Sequence, residues 1–218
     1  MRMIFLMMLV EWKKIAKEPV AALSPVMFFV MLMASYPLML PAGSEVVSSL
    51  APLMLWVVFL CAAFLSAARI FSEDYTQGVL ALWHSKQKIT CLVWAKYFSH
   101  LLLLVLPVAF LLPILLPFLG FSEPKIFFWI LVLTGGALSV SAWMIIAAAL
   151  LLASERAGQW LVIVVLPWIL PAMMFASNAL SSNQSTTEAV LLLFGLALIA
   201  VPLMGLVVPV MLRIIIEE

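Results

Sequence analysis

Charge is what this sequence has least of. Only 10% of its 218 residues are Asp, Glu, Lys or Arg, where a soluble domain carries about 25%. Cysteine is nearly absent: Cys61 and Cys91 stand thirty residues apart and form no metal or redox spacing. There is no G-x-x-x-x-G-K-[ST], so no P-loop cradles nucleotide phosphates, and no H-E-x-x-H or G-x-S-x-G marks a hydrolase. No polar segment is long enough to build a soluble core of its own. A net charge of +1 gives no reason to expect a nucleic-acid partner. These absences exclude a P-loop nucleotide-hydrolysing subunit, a clustered Cys/His metal site and a soluble enzyme.

What remains is lipid-soluble sequence. Two thirds of the chain (67%) is hydrophobic, and every charged residue lies outside six uncharged runs: 19–44, 46–68, 97–122, 126–154, 157–187 and 189–212. The shortest run has 23 residues, and about 20 suffice to cross the hydrocarbon as a helix. The runs are apolar on all sides, unlike the alternating strands of a membrane barrel. The expected fold is therefore an all-α polytopic membrane protein, one domain over 1–218, with six transmembrane helices. Lys and Arg set the orientation. Arg2, Lys13, Lys14, Lys17, Arg69, Lys86, Lys88, Lys96, Arg156 and Arg213 fall on one side and Lys125 alone on the other, which places both termini in the cytoplasm.

Residues 1–18 combine an apolar stripe of Phe5, Met8, Leu9, Trp12 and Ala16 with Lys13, Lys14 and Lys17 opposite. That pattern predicts an interfacial amphipathic helix with its basic face toward anionic headgroups of the membrane lipid. A signal peptide is the rival, but Glu11-Trp-Lys-Lys14 stands where a small-residue cleavage site belongs.

One internal stretch cannot sit in lipid. Between the second and third spans, residues 69–90 hold Arg69, Glu73, Asp74, Lys86 and Lys88. Burying five charges at about 2.5–3.5 kcal/mol each would cost more than about 12 kcal/mol. Arg69 and Glu73 are four apart and could pair on one helix face. Gly78 permits a left-handed break, after which Val79, Leu80, Leu82 and Trp83 form a short apolar stripe. A short amphipathic helix flanked by charge suits docking into a partner's groove, or equally lying on the membrane.

Prolines recur inside the spans. Pro107, Pro113 and Pro117 in the third and Pro167 and Pro171 in the fifth predict kinks. Gly135, Gly136, Ser139 and Ser141 in the fourth predict close helix packing rather than a substrate site. His100 is the sole ionisable residue of the six runs apart from tyrosine and cysteine. A hydrogen-bonded packing role is weighed there above a haem or metal ligand, and the lack of buried carboxylates or lysines speaks against ion coupling.

Together these features resemble the permease half of an ABC-2-type transporter: an interfacial elbow helix, six spans and a cytoplasmic coupling helix between the second and third. The local sequence is similar to the haem exporter protein B family (CcmB) of cytochrome c maturation. The resemblance is carried by Leu50-Ala-Pro52 with Trp56-Val57, by Arg69 through Phe71 to Asp74, Gly78 and Leu80, by Lys96 with His100, and by Leu166-Pro167 with Pro171 and Phe175-Ala176. It departs at Ala81, where an acidic residue is expected, and at Ser85–Lys88, where prolines are. The resemblance implies a non-catalytic permease subunit of the bacterial inner membrane, present in two copies per complex. Its implied partners are the separate ABC ATPase of the cytochrome c maturation system, a haem-handling membrane protein and a further small membrane protein. ATP would sit on the ATPase and haem on partner proteins, with no cofactor on this chain. ATP hydrolysis would serve release of the haem-loaded periplasmic chaperone. Coupling would fall to Arg69, Phe71, Glu73, Asp74, Gly78, Leu80, Leu82 and Trp83, with Glu73 and Asp74 meeting basic residues of the ATPase. An ABC-2 permease for a lipid, polysaccharide or drug is the alternative, and a non-transport scaffold the reading from another class.

Overall fold

The computed structural model describes residues 2–40, 45–67, 69–86, 88–121, 126–152, 157–181 and 186–217. Lys125 and Arg156, two of the residues that set the expected orientation, lie outside them. The described chain is helical throughout: α1 (Arg2–Lys17), α2 (Pro19–Leu38), α3 (Glu45–Ala67), α4 (Ser72–Thr76), α5 (Val79–Ser85), α6 (Ile89–Phe118), α7 (Ile126–Leu152), α8 (Ala157–Ser181) and α9 (Thr186–Glu217). Among the described residues, α3, α6, α7 and α9 are long and apolar enough to cross a membrane, and Leu23–Leu38 and Val165–Leu180 are shorter apolar stretches of α2 and α8. This is an all-helical, multi-pass membrane protein.

The exterior explains why. Leu106, Phe110, Ile114 and Phe118 recur every fourth residue along α6 and are all exposed, Phe110 to 80%. Such a stripe in water would drive aggregation, whereas in lipid it costs nothing. Helix α7 is the opposite case. Ser139 to Ala149 is buried without a break, because α7 packs against α9, α8, α6 and α3 at once. A helix surrounded on every side needs small residues where its neighbours come close. Gly136 provides this for Trp56 of α3, whose six-membered ring occupies the space where a Cβ would stand. Gly135 is a milder case, where a Cβ would come within 3.0 Å of Phe194 and 3.2 Å of Leu193 on α9.

The prolines do not break their helices. Helix α6 runs through Pro107, Pro113 and Pro117, and α8 through Pro167 and Pro171. Helix α6 ends at a glycine instead. Gly120 takes a left-handed φ of 88°, while the Phe121 N–H donates to the Leu116 carbonyl at 3.0 Å and the Gly120 N–H to Pro117 at 3.0 Å. These bonds satisfy carbonyls that the last turn leaves open.

The polar stretch between α3 and α6 is two short helices around one left-handed residue. Gly78 has φ 70° and nothing within 4 Å of where its Cβ would be, so the backbone angle, not crowding, is what favours glycine there. Helix α5 packs on α6 and α9, and His84 Nε2 lies 3.4 Å from Glu217 Oε1 at the end of α9.

Candidate functional site

The polar stretch is anchored by one buried carboxylate. Asp74 on α4 is 1% exposed. Its Oδ1 accepts from Lys14 Nζ of α1 at 2.5 Å, and its Oδ2 lies 2.6 Å from Lys96 Nζ of α6. Glu11, one turn before Lys14, closes the set at 3.3 Å from Lys14 and 3.4 Å from Lys96. Two ammonium groups thus meet two carboxylates in a neutral quartet. That arrangement is what makes a buried charge tolerable. Lys96, 6% exposed, also donates to the Ile70 carbonyl at 2.5 Å and sits 5.5 Å above the Phe71 ring. The link therefore ties the N-terminal helix, the post-α3 turn, α4 and α6 into one unit.

The two partners titrate as this geometry requires. Burial pushes the Asp74 carboxyl up, but the Lys96 charge and the hydrogen bonds from Lys14 and Lys96 outweigh it and hold the group below the ordinary 3.8. Burial lowers Lys14, and the hydrogen bond to Asp74 with the charges of Glu11 and Asp74 outweighs it, so this lysine stays above 10.5.

Beside the quartet is a cavity of about 420 Å³. Lys17 and Glu18 line it at the end of α1, Glu73 and Gln77 on the polar stretch, and Ser99 and His100 on α6. Ser66 at the end of α3 donates to the Ala63 carbonyl at 2.7 Å and meets His100 Nε2 at 2.7 Å.

The structure corrects several expectations. Asp74, expected to face a partner, points inward because Lys14 and Lys96 draw it there. Phe71 is fully buried under Lys96, and Leu80 is 1% exposed, so neither presents a docking surface. Arg69 does not share a helix face with Glu73: α3 stops at Ala67 and α4 starts at Ser72, which leaves Arg69 in a turn beside the cavity. Lys14 turns into the protein, away from the face it was assigned toward headgroups, while Lys13 and Lys17 stay exposed. Of the apolar stripe after Gly78, Leu82 is 51% exposed and Trp83 is half-buried with Lys86 Nζ 5.5 Å over its ring. Glu73 is exposed. Pro113, Pro117 and Pro167 face outward, and Pro107 and Pro171 are half-buried.

Sequence reasoning missed Glu11, Lys14 and Lys96 as a set. A signal was present. Glu11 and Lys14 are one turn apart on α1, and Lys96 is one turn from His100 on a helix otherwise apolar for 97–118, so both pairs sit where a lone charge needs a partner.

Comparison with known proteins agrees along nearly the whole chain. Residues 3–215 match the family described as CcmB protein. The heme exporter protein B of Haemophilus influenzae is 33% identical over 184 residues, 83% of this chain and 82% of that one. The protein of the same name from Pseudomonas aeruginosa is 28% identical over 174 residues, 79% and 78% of the two chains. That of Paracoccus denitrificans is 27% identical over 180 residues, 82% and 83%.

Proposed function

The chain belongs to the CcmB family, and from that premise we propose that it is the permease subunit of an ABC-type complex for haem export in cytochrome c maturation. It is non-catalytic on this reading, and ATP is hydrolysed by a separate ATPase. Helices α2, α3 and α6–α9 cross the bacterial inner membrane with both termini in the cytoplasm. At 20 and 25 residues, α2 and α8 extend about 30 Å and more at about 1.5 Å per residue, which supports including them. Helix α1 lies along the inner interface, and α4–α5 form the coupling element. Two copies act with the ATPase, a haem-handling membrane protein and a further small membrane protein, and haem sits on those partners.

One observation carries the mechanical side of this proposal. Asp74 joins the coupling element to α1 and α6 through buried ion pairs, so a push on α5 moves three elements together. Force from ATP-driven closure of the ATPases then enters at Leu82 and Glu73, two outward-facing members of the polar stretch, and leaves along α6 toward release of the haem-loaded chaperone. Leu82→Asp is expected to reduce co-purification of the ATPase by roughly tenfold or more, the loss typical of one central apolar anchor, with the thermal stability of this chain unchanged. Unaltered ATPase capture would place the contact elsewhere.

The family-level test is a covalent-haem stain of membrane and periplasmic fractions from a deletion strain. Loss of c-type cytochromes, restored with the gene, is the expected result. Normal c-type cytochromes in a strain with no second copy would sink the haem reading and leave a permease of another cargo.

A further inference from the structure

The quartet occupies Glu11, Lys14, Lys96 and Asp74, yet the cavity beside it holds polar groups that nothing among the described residues satisfies. With the Ser66 proton assigned to the Ala63 carbonyl, the 2.7 Å contact to His100 Nε2 makes that nitrogen the donor. The other ring nitrogen, Nδ1, is then a bare acceptor. It is buried and has no hydrogen-bond partner, and the same is true of the Ser99 hydroxyl one residue earlier. His100 and Ser99 are each 5% exposed and both line the cavity. Leaving such groups unmet costs about 1–3 kcal/mol apiece, and the cavity has room for a ligand that meets them.

The lining specifies the ligand's chemistry. Its mouth carries the carboxylates of Glu18 and Glu73 and the cations of Lys17 and Arg69, all exposed. A headgroup bearing only negative charge would pair with Lys17 and be repelled by both glutamates. A headgroup with phosphate and ammonium meets both signs, and its N–H groups suit the bare Nδ1. The walls turn apolar at Ile15, Pro25 and Leu103, and the exposed stripe of α6 begins at Leu106, one turn beyond Leu103. Ser66 stands one residue before the end of α3, which puts His100 at the level where a span meets headgroups. We propose that this cavity binds a zwitterionic phospholipid of the phosphoethanolamine type from the inner leaflet. Its ammonium lies toward His100 Nδ1 and the carboxylates, its phosphate toward Lys17, and its acyl chains along Leu103 and the α6 stripe. The lipid would then brace α1 against α6 beside the Asp74 link.

The test is native mass spectrometry of the full chain. Protein stripped of lipid in mild detergent is titrated with phosphatidylethanolamine, phosphatidylglycerol and soluble glycerophosphoethanolamine. One phosphatidylethanolamine per chain is expected, with phosphatidylglycerol at least about tenfold weaker, as loss of a charge-assisted hydrogen bond predicts. His100→Phe should abolish that preference. Glu18→Gln, a change at an exposed lining side chain that the ATPase contact does not use, should reduce it. Equal uptake of the two lipids, or an unchanged preference in both variants, overturns the proposal. Equal binding of the soluble headgroup overturns the lipid assignment. The ATPase reading is judged separately, by capture of the ATPase with Leu82→Asp, a residue that does not line the cavity.

Discussion

Asp74→Ala is expected to destabilise the protein by about 3–5 kcal/mol, the usual result of removing one partner from a buried ion pair. The cost falls on Lys96. It is 6% exposed, and without Asp74 its remaining anion is Glu11 at 3.4 Å. Lys14, more open to solvent, can turn to water and loses less. Asp74→Asn preserves shape and removes charge, so it should fall between wild type and Asp74→Ala. Adding Lys96→Met to Asp74→Ala should recover much of the loss, because the stranded ammonium is gone and a thioether suits that depth. Unfolding of detergent-solubilised protein followed by helical circular dichroism gives the ordering. A double variant no more stable than Asp74→Ala would show that the two residues do not act as a pair.

The same pair gives a pH dependence with a definite sign. Asp74 has its folded pKa lowered below 3.8, so its stabilisation is complete above about pH 4 and is lost as pH falls through the folded value. Lys14 has its folded pKa raised above 10.5. Its contribution is complete below that value and disappears as pH rises through the folded one. The link between the polar stretch and α1 is thus intact across the whole neutral range, and acid is what opens it from the Asp74 side. In the Asp74→Asn variant the acid-side loss should shrink.

Gly136→Val is expected to be comparably severe, for a steric reason. The position of a Cβ there is already filled by the Trp56 ring, and Trp56 is fully buried with an edge-on contact to Phe59 at 5.4 Å between centroids. Flexible side chains can yield to an added methyl group, but an indole held on all sides cannot. Overpacking costs about 1–3 kcal/mol and more where nothing can relax, so the upper end is expected, with α3 and α7 forced apart. Gly195→Ala on α9 is the control: a Cβ there meets nothing within 4 Å, and alanine is the better helix former by about 1 kcal/mol. It should be neutral or mildly stabilising. Combining Gly136→Val with Trp56→Leu should cost less than the two single changes summed, since the valine fills part of the space the indole leaves. Strict additivity would mean that the two side chains are not in contact.

Asp74 and Gly136 mark how far residue types alone reach. The membrane class, the apolar runs, the left-handed break at Gly78 and close packing at Gly135 and Gly136 were all legible, because each follows from local chemistry: desolvation of charge, backbone freedom without a Cβ, and helix spacing. The family resemblance likewise rests on local residues in order. What the sequence could not determine is the direction in which a charge points. Asp74 reads as a surface acid in its own neighbourhood of Ser72, Glu73 and Thr76. Its partners come from 60 and 22 residues away, and only the packing of α1 against α6 brings Lys14 and Lys96 to one point. The same holds for Phe71 and Leu80, whose apolar side chains suit a docking face and a core equally until Lys96 of α6 comes over Phe71 and α5 packs on α6 and α9. Composition sets the cost of burying each group, and tertiary structure alone decides which groups are buried and beside what.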